Sequence, residues 1–392
     1  MLVLAMLFSV FPSVAPLDTS TSWSVQTLSD YATRDSGRVA IDSKDNPHVV
    51  YHIRDLTNLS LSEAFYELKY GSWDGSSWNI STAFQYALVL DFVLDSNDNP
   101  HLLYRKSEER DNLSYAKLTE GKGWVSQTID SNDGGVSLAL DSADTPHVAY
   151  FAGAQLKYAS YNGTSWDIRL VDPPEPLEGP LTTRIILEID QNDIAHIMYT
   201  TGDSHINYIV GDGVNWNVLT FFEGYKLKDM VLDSKGYPHI AYLDNAGASI
   251  RRQRYARWNG NSWDSQNFQV PEFDYGGYYM DAKIAIDSRD RPHISYSIEI
   301  TGSSGNLMYA SLRGNEWEFQ SIDPENAYWA GSIAVDSNNN PHVLYFSFEG
   351  QPRHYKTGYF INYATADLPE VSETVSDSPL LLIPAAVTAG VV

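Results

Sequence analysis

Short stretches of alternating apolar and polar residues follow one another along most of the chain. In the first complete unit they read RVAID, PHVVYHI, FYELKYGSW and WNIST, between positions 38 and 82. Alternation with a period of two predicts β-strands, and no segment shows the periodicity of an amphipathic helix. Pairs such as Asp74-Gly75 and Asn162-Gly163 precede the fourth stretch, and they favour tight hairpin turns because both residue types tolerate a positive φ. The pattern therefore predicts an all-β fold.

A motif of aspartate, histidine six residues later and tyrosine three residues beyond occurs seven times. Successive aspartates lie 43 to 54 residues apart, so changes in length fall between the motifs and not within them. Such a recurrence is compatible with a ring of ligands, a set of catalytic dyads or the conserved parts of a repeated fold. The copies are Asp42, His48, Tyr51; Asp95, His101, Tyr104; Asp141, His147, Tyr150; Asp190, His196, Tyr199; Asp233, His239, Tyr242; Asp287, His293, Tyr296; and Asp336, His342, Tyr345.

A second motif, a tyrosine followed by a tryptophan, comes after each first motif. Seven tyrosines are followed by only six tryptophans, whereas the segment TSWSVQTL with Trp23 precedes the first unit. Four antiparallel strands repeated seven times predict a seven-bladed β-propeller, in which the N-terminal strand completes the last blade and closes the ring. The residues are Tyr70, Tyr115, Tyr158, Tyr208, Tyr255, Tyr309 and Tyr363, with Trp78, Trp124, Trp166, Trp216, Trp263 and Trp317.

The propeller fold favours a structural role for the repeated aspartates and histidines. Seven histidines at equivalent positions surround the axis at a distance and cannot converge on one metal ion or substrate. We therefore expect hydrogen-bonded networks of Asp, His and Ser within or between blades, with side chains capping the turn amides. No cofactor is predicted; as an alternative, acidic turns such as DSNDNP could hold Ca²⁺, although they lack the Gly and distal Glu of an EF-hand loop.

Composition narrows the classes of function. The 392 residues contain no cysteine, which excludes disulfides and thiolate metal sites. A net charge of -24 repels phosphate backbones, so nucleic-acid binding is not expected.

The two ends differ in composition from the repeats. We predict a signal peptide over residues 1–15, a monomeric propeller over 16–366, an acidic linker over 367–378 and an apolar tail over 379–392. The tail is shorter than a membrane span and is interpreted as a truncated anchor. These ends predict an extracellular or cell-surface location.

Segments such as SWDGSSW and SYNGTSW resemble degenerate Asp-boxes, the hairpins between the third and fourth blade strands of sialidases and related propellers, including some lectins. They have one residue fewer than an Asp-box between the acidic position and the glycine. The complete two-motif repeat also resembles uncharacterised repeat propellers of secreted bacterial and archaeal proteins. The resemblance implies a fold and structural Asp-box residues, and it implies no activity.

Function is expected where the repeats differ, on the long connections at one face of the ring. Aromatic side chains there suit sugar stacking or protein recognition, or alternatively they cover the ends of the blades. We predict a non-catalytic propeller that binds a glycan or an envelope protein; the alternatives are a glycan-active enzyme of sialidase-like or lyase type and a structural envelope component. No catalytic motif is present, and Arg38, Arg54 and Arg184 fit strand-end or surface charges as well as they fit a carboxylate-binding cluster. The candidate ligand-binding residues are Arg54, Tyr86, Tyr275, Tyr278, Tyr279, Tyr328 and Trp329.

Overall fold

Every regular element in the described part of the chain is a β-strand. The computed structural model describes residues 22–54, 66–106, 112–131, 134–171, 184–200, 205–223, 226–245, 251–268, 278–300, 304–323, 327–348 and 359–368. The strands form seven blades of four antiparallel strands, so the predicted seven-bladed propeller is confirmed.

Each blade takes four consecutive strands, except that β1 serves two blades. The strands are, in blade 1, the end of β1 (Ser24–Ile41), β2 (Pro47–Arg54), β3 (Tyr66–Trp73) and β4 (Trp78–Gln85); in blade 2, β5 (Ala87–Leu94), β6 (Pro100–Lys106), β7 (Asn112–Thr119) and β8 (Gly123–Ser131); in blade 3, β9 (Val136–Leu140), β10 (Pro146–Ala152), β11 (Gln155–Tyr161) and β12 (Trp166–Val171); in blade 4, β13 (Ile185–Ile189), β14 (Ala195–Thr200), β15 (His205–Gly211) and β16 (Trp216–Glu223); in blade 5, β17 (Lys226–Leu232), β18 (Pro238–Asn245), β19 (Arg251–Trp258) and β20 (Trp263–Asn267); in blade 6, β21 (Tyr278–Ile286), β22 (Pro292–Ile300), β23 (Ser304–Arg313) and β24 (Glu316–Asp323); and in blade 7, β25 (Ala327–Val335), β26 (Pro341–Phe348), β27 (Tyr359–Thr365) and the start of β1.

The long strand β1 closes the ring. Its first part pairs antiparallel with β27, with Ser24 opposite Thr365, and its last part pairs with β2, with Val39 opposite Val49. The sheets of blades 7 and 1 are therefore continuous through β1. The predicted closure by the N-terminal strand is confirmed.

The hydrophobic core is divided among the junctions between neighbouring blades. The described residues form seven apolar clusters, and each cluster combines side chains from two adjacent blades. Between blades 1 and 2, for example, Leu68 and Tyr70 pack against Phe92, Leu102 and Tyr104. A single blade cannot bury both of its faces, so the blades depend on one another for stability.

The two sequence motifs meet in a relay that crosses each junction. In blade 1, the Tyr70 hydroxyl lies 2.7 Å from Nδ1 of His48, and Nε2 of His48 lies 3.5 Å from Asp42. The indole of Trp124, in blade 2, packs edge-to-face on Tyr70 with ring centroids 5.6 Å apart. The same tryptophan-to-tyrosine contact recurs in Trp166 with Tyr115, Trp216 with Tyr158, Trp263 with Tyr208, Trp317 with Tyr255, Trp23 with Tyr309 and Trp78 with Tyr363.

The relay fixes the chemical state of its groups. Burial lowers the pKa of His48 and of His101, so these imidazoles are neutral at pH 7 and can donate from Nε2 while accepting the tyrosine O–H at Nδ1. Burial also raises the pKa of Tyr70 to about 12, which keeps the hydroxyl protonated. Burial alone would raise the pKa of Asp95, but hydrogen bonds from Lys117, Asn99 and His101 outweigh it, and the pKa lies below the usual range.

A belt of serine–aspartate bonds joins the turns between the first and second strands of neighbouring blades. The Ser43 hydroxyl and amide donate to Asp98 of the next blade at 2.7 and 2.8 Å. Equivalent bonds join Ser96 to Asp144, Ser142 to Asp193, Ser234 to Asp290, Ser288 to Asn339 and Ser337 to Asp45. The accepting residue has a φ of 59 to 67° in every case. This position takes Asp or Asn because these residues tolerate the left-handed region.

The belt is interrupted between blades 4 and 5. Gln191 stands where the other blades carry serine, and Gly236, with a φ of 79°, stands where they carry Asp or Asn. Both partners of this bond are therefore replaced at the same junction.

Restoring the missing bond should stabilise the ring. We expect the double variant Gln191→Ser, Gly236→Asp to gain about 0.5 to 1.5 kcal/mol in unfolding free energy, because an exposed clamp of this kind adds one or two hydrogen bonds. Urea unfolding of both single variants and the double variant would measure the coupling. A double variant no more stable than the sum of the singles would contradict the assigned role of the belt.

Candidate functional site

A channel along the propeller axis is a candidate site, because residues from all seven blades line it. The inner strand of each blade is its first strand, and all seven inner strands line the channel. The volume of the channel is about 660 Å³. We call the end that carries the connections between blades the loop-rich face, and the end that carries the turns after the inner strands the turn face. Each inner strand runs from the loop-rich face to the turn face.

The channel lining differs from blade to blade. The residue four positions before each repeated aspartate lines the channel, and charges of both signs occur at this level. The side chains are Arg38, Asp91, Ser137, Ile186, Asp229, Lys283 and Ser332. The relay residues repeat in all blades, whereas these do not.

Arg38 and Asp91 form a chain of bonds across blades 1 to 3. Nε of Arg38 lies 3.2 Å from Oδ1 of Asp91, and Nη2 donates to the Leu90 carbonyl at 2.9 Å. Oδ2 of Asp91 accepts the Leu138 amide at 2.9 Å and the Ser137 hydroxyl at 3.2 Å. The sequence-based interpretation of Arg38 as a strand-end or surface charge is corrected, since its side chain lies in the channel.

Asp229 and Lys283 form the equivalent arrangement in blades 5 and 6. Their charged atoms lie 3.7 Å apart, and Oδ2 of Asp229 accepts the Ile284 amide at 3.1 Å. Burial, together with the positive charge of the nearby Arg184, lowers the pKa of Lys283 to about 8. This lysine therefore titrates just above neutral pH and is still largely an ammonium at pH 7.

A third charged group lies nearer the loop-rich face, where blades 4, 5 and 6 meet. Asp281 is 3.6 Å from Arg184 and 3.6 Å from Lys228, and Arg184 also donates to the Lys228 carbonyl. Gln253 is fully buried, and its Oε1 accepts no hydrogen bond from the described residues. Arg184 is thus also a channel residue and not a surface charge.

Glu188 differs from the other charged residues of the channel. It lies two residues before Asp190, which places it roughly 7 Å farther toward the turn face than the level of Asp91. Burial, together with the charges of Asp229 and Asp91, raises the pKa of Glu188 to about 8. The acid is therefore largely protonated at pH 7, and in the described part of the chain no ion pair neutralises it.

The candidate residues predicted from the sequence fall into three groups. Arg54 and Tyr86 lie at the loop-rich face and are exposed. Tyr275 lies outside the described residues. Tyr278 and Tyr279 begin β21 and Tyr328 lies in β25, but their side chains are outside the described part.

Trp329 is not available for stacking on a ligand. Its side chain is only 9% exposed and belongs to the core between blades 7 and 1, where it packs edge-to-face on Tyr359 at 5.4 Å. The expectation of an exposed indole is corrected, because this side chain is buried. Truncating Trp329 would therefore open a cavity in the core.

Sequence reasoning missed the channel residues Asp91, Glu188, Asp229 and Lys283, and also Lys228 and Asp281, which lie beside the channel residue Arg184. For Asp91, Asp229 and Lys283 the available signal was a charge four residues before the repeated aspartate, a level at which three other blades carry serine or isoleucine.

Within the described ranges, no three His, Asp or Glu side chains are grouped as metal ligands. The carboxylates of the belt accept hydrogen bonds from serine. Binding of Ca²⁺ to the acidic turns stays a prediction. No helix of the described part is long and apolar enough to cross a membrane; the predicted signal peptide and apolar tail lie outside the described residues.

Comparison with known proteins supports the fold. No protein family and no curated protein sequence matches the chain. The β-propeller domain of the Trilobed protease from Pyrococcus furiosus, which has an open velcro topology, superposes with a TM-score of 0.54 at 11% identity, over 91% of this chain and 99% of that one.

Two further structures are similar at low identity. A protein of unknown function from Dyadobacter fermentans gives a TM-score of 0.50 at 11% identity, over 88% of this chain and 99% of that one. A six-bladed fucose-recognising lectin from Aleuria aurantia gives 0.49 at 12% identity, over 76% and 98%. At these identities the likeness is one of fold alone.

The raised pKa of Glu188 predicts a pH-dependent stability. The folded chain retains a proton that the unfolded chain loses near pH 4.5, so stability should fall as the pH rises from about 4.5 to 8. We expect Glu188→Gln to remove this loss, which amounts to roughly 1 to 3 kcal/mol.

Urea unfolding at pH 5 and pH 9 would measure the effect, with Glu120→Gln, at an exposed position, as a surface control. Parallel pH profiles for wild type and Glu188→Gln would show that Glu188 ionises normally.

Proposed function

We propose that the chain is a non-catalytic, surface-displayed propeller that binds a glycan at the loop-rich end of its axial channel. One observation carries the proposal: on a scaffold whose relay residues recur in every blade, the channel residues are individual. A repeated fold needs no charge at Arg38, Asp91, Asp229 or Lys283, because Ser137 and Ile186 occupy equivalent positions. Residues that a fold does not require are candidates for binding.

The chemistry of the channel suits a polyhydroxylated ligand. Sugar hydroxyls both donate and accept, and the channel offers carboxylates next to guanidinium and ammonium groups, as in Asp91 beside Arg38 and Asp229 beside Lys283. A volume of about 660 Å³ is in the range of small-molecule sites and could hold one or two sugar rings. Display at the cell surface is part of the proposal and is supported by the predicted signal peptide and apolar tail.

A glycan-active enzyme is the second candidate, and Glu188 is the observation that favours it. A carboxylic acid whose pKa is raised to about 8 can act as a general acid at neutral pH. Glycoside cleavage uses such an acid together with an ionised carboxylate, a role open to Asp229 or Asp91. This candidate predicts turnover, which the binding proposal excludes.

A glycan array followed by calorimetry tests both candidates. We expect wild type to bind a glycan without consuming it, and Lys283→Met to weaken binding about tenfold or more because it removes a charged hydrogen bond. Lys157→Met is the matched control, since Lys157 also pairs with an aspartate of a neighbouring blade, Asp130, away from the channel.

The outcomes separate the possibilities. Equal affinities of the Lys283 and Lys157 variants would remove the channel from the site. Release of reducing sugar that Glu188→Gln abolishes would establish the enzyme instead. Binding to envelope proteins but to no glycan would contradict the proposed ligand.

A further inference from the structure

We propose that Arg54, Tyr66, Tyr86 and His52 form a subsite at the loop-rich face, between blades 1 and 2, for a pyranose ring that carries a carboxylate. The inference rests on the proposed function, because it names a class of glycan and a second place of contact. It is separate from the axial channel.

The strand register brings these residues together. Arg54 ends β2 and lies opposite Tyr66, the first residue of β3. Glu67 lies opposite Gln85, the last residue of β4, so Tyr86 directly follows the strand beside Tyr66. The ring centroids of His52 and Tyr66 are 5.3 Å apart in an edge-to-face arrangement. Three adjacent strand ends therefore present two tyrosines and an arginine at one corner of the blade.

Tyr86 is held in an unusual backbone conformation. Its φ is 56°, and every other non-glycine residue of the described part with a positive φ is Asp or Asn. A tyrosine there is strained, since its Cβ crowds the backbone. Its side chain is nevertheless 40% exposed, so burial of the ring does not explain the conformation. The exposed part of this aromatic ring lies at the rim, where it can stack on a sugar.

His52 is a buried imidazole with one unsatisfied ring nitrogen. It is 7% exposed, and its Nδ1 forms no hydrogen bond with any residue that the structure describes. Burial lowers its pKa to about 3, so the imidazole is neutral and can both donate and accept. Blades 3 and 7 carry Phe151 and Phe346 at the same distance from the repeated aspartate, which shows that the fold accepts an apolar ring at this place. A histidine is therefore unnecessary for packing.

Arg54 favours a ligand that carries a negative charge. Its exposed guanidinium has no ion pair in the described part of the chain, although the sequence contains 50 acidic and only 26 basic side chains. Guanidinium binds carboxylates in a bidentate geometry. The combination of this cation with two aromatic rings and a neutral imidazole fits a uronic-acid type of sugar better than a neutral one.

Methyl β-D-glucuronide and its neutral match, methyl β-D-glucoside, are suitable probes for saturation-transfer NMR and calorimetry. We expect wild type to prefer the glucuronide by about tenfold, Arg54→Ala to lose this preference, and Tyr86→Ala to weaken binding of both probes. His52→Phe should weaken binding and preserve the melting temperature. Arg257→Ala, which alters an exposed arginine of blade 5, is the matched control.

The variant Tyr86→Gly distinguishes a binding role of Tyr86 from a packing role. Because glycine accepts a φ of 56°, this variant should melt at the wild-type temperature or above it and still lose binding. A lower melting temperature with unchanged binding would identify Tyr86 as a packing residue and overturn the proposal.

Failure of the subsite can be distinguished from failure of the proposed function. If wild type binds glycans on the array while Arg54→Ala keeps the glucuronide preference, the subsite is wrong and the proposed function stands. If Lys283→Met and not Arg54→Ala removes the preference, the carboxylate is bound in the channel, which also overturns the subsite. If no glycan binds at all, both proposals fail.

Discussion

The edge-to-face contact between a tryptophan of one blade and a tyrosine of the preceding blade is the interaction on which the rest of the structure depends. In blade 1 that tyrosine, Tyr70, holds Nδ1 of His48, and His48 lies against Asp42, which caps the amides of its own turn. This contact therefore connects the packing between two blades with the hydrogen bonds inside one blade and with the turn that Asp42 caps. Since Trp23 makes it with Tyr309, the N-terminal strand is an equal member of the ring.

Because the relay lies away from the axis, the inner strands are free to vary. The chain uses this freedom to place Arg38, Asp91, Asp229 and Lys283 in a channel that an apolar lining could have filled. Each of these charges forms an ion pair with an opposite charge of a neighbouring blade, which offsets part of the free-energy cost of burial. Glu188 has no such ion pair in the described part of the chain. Burial and the nearby charges of Asp229 and Asp91 therefore raise its pKa. The account of function rests on these blade-specific groups.

The sequence was sufficient to predict the strands, the blade number and the closure, because those features depend on residues that recur at fixed spacing. It could not reveal the channel. Arg38 and Arg184 resemble ordinary strand-end charges, and the direction of their side chains depends on where each inner strand lies relative to its neighbours. The pKa of Glu188 depends on carboxylates in two other blades. The burial of Trp329 depends on Tyr359, thirty residues later in the sequence.

The relay can be tested most directly by comparing the unfolding free energies of Trp23→Ala and Trp317→Ala in urea. Both indoles make the same contact, with Tyr309 and Tyr255, so the account predicts a similar loss in each, about 2 to 4 kcal/mol, in a single transition. Val25→Ala, on the exposed outer strand, provides the baseline. If Trp23→Ala lost no more stability than Val25→Ala, the N-terminal strand would not be part of the closed ring.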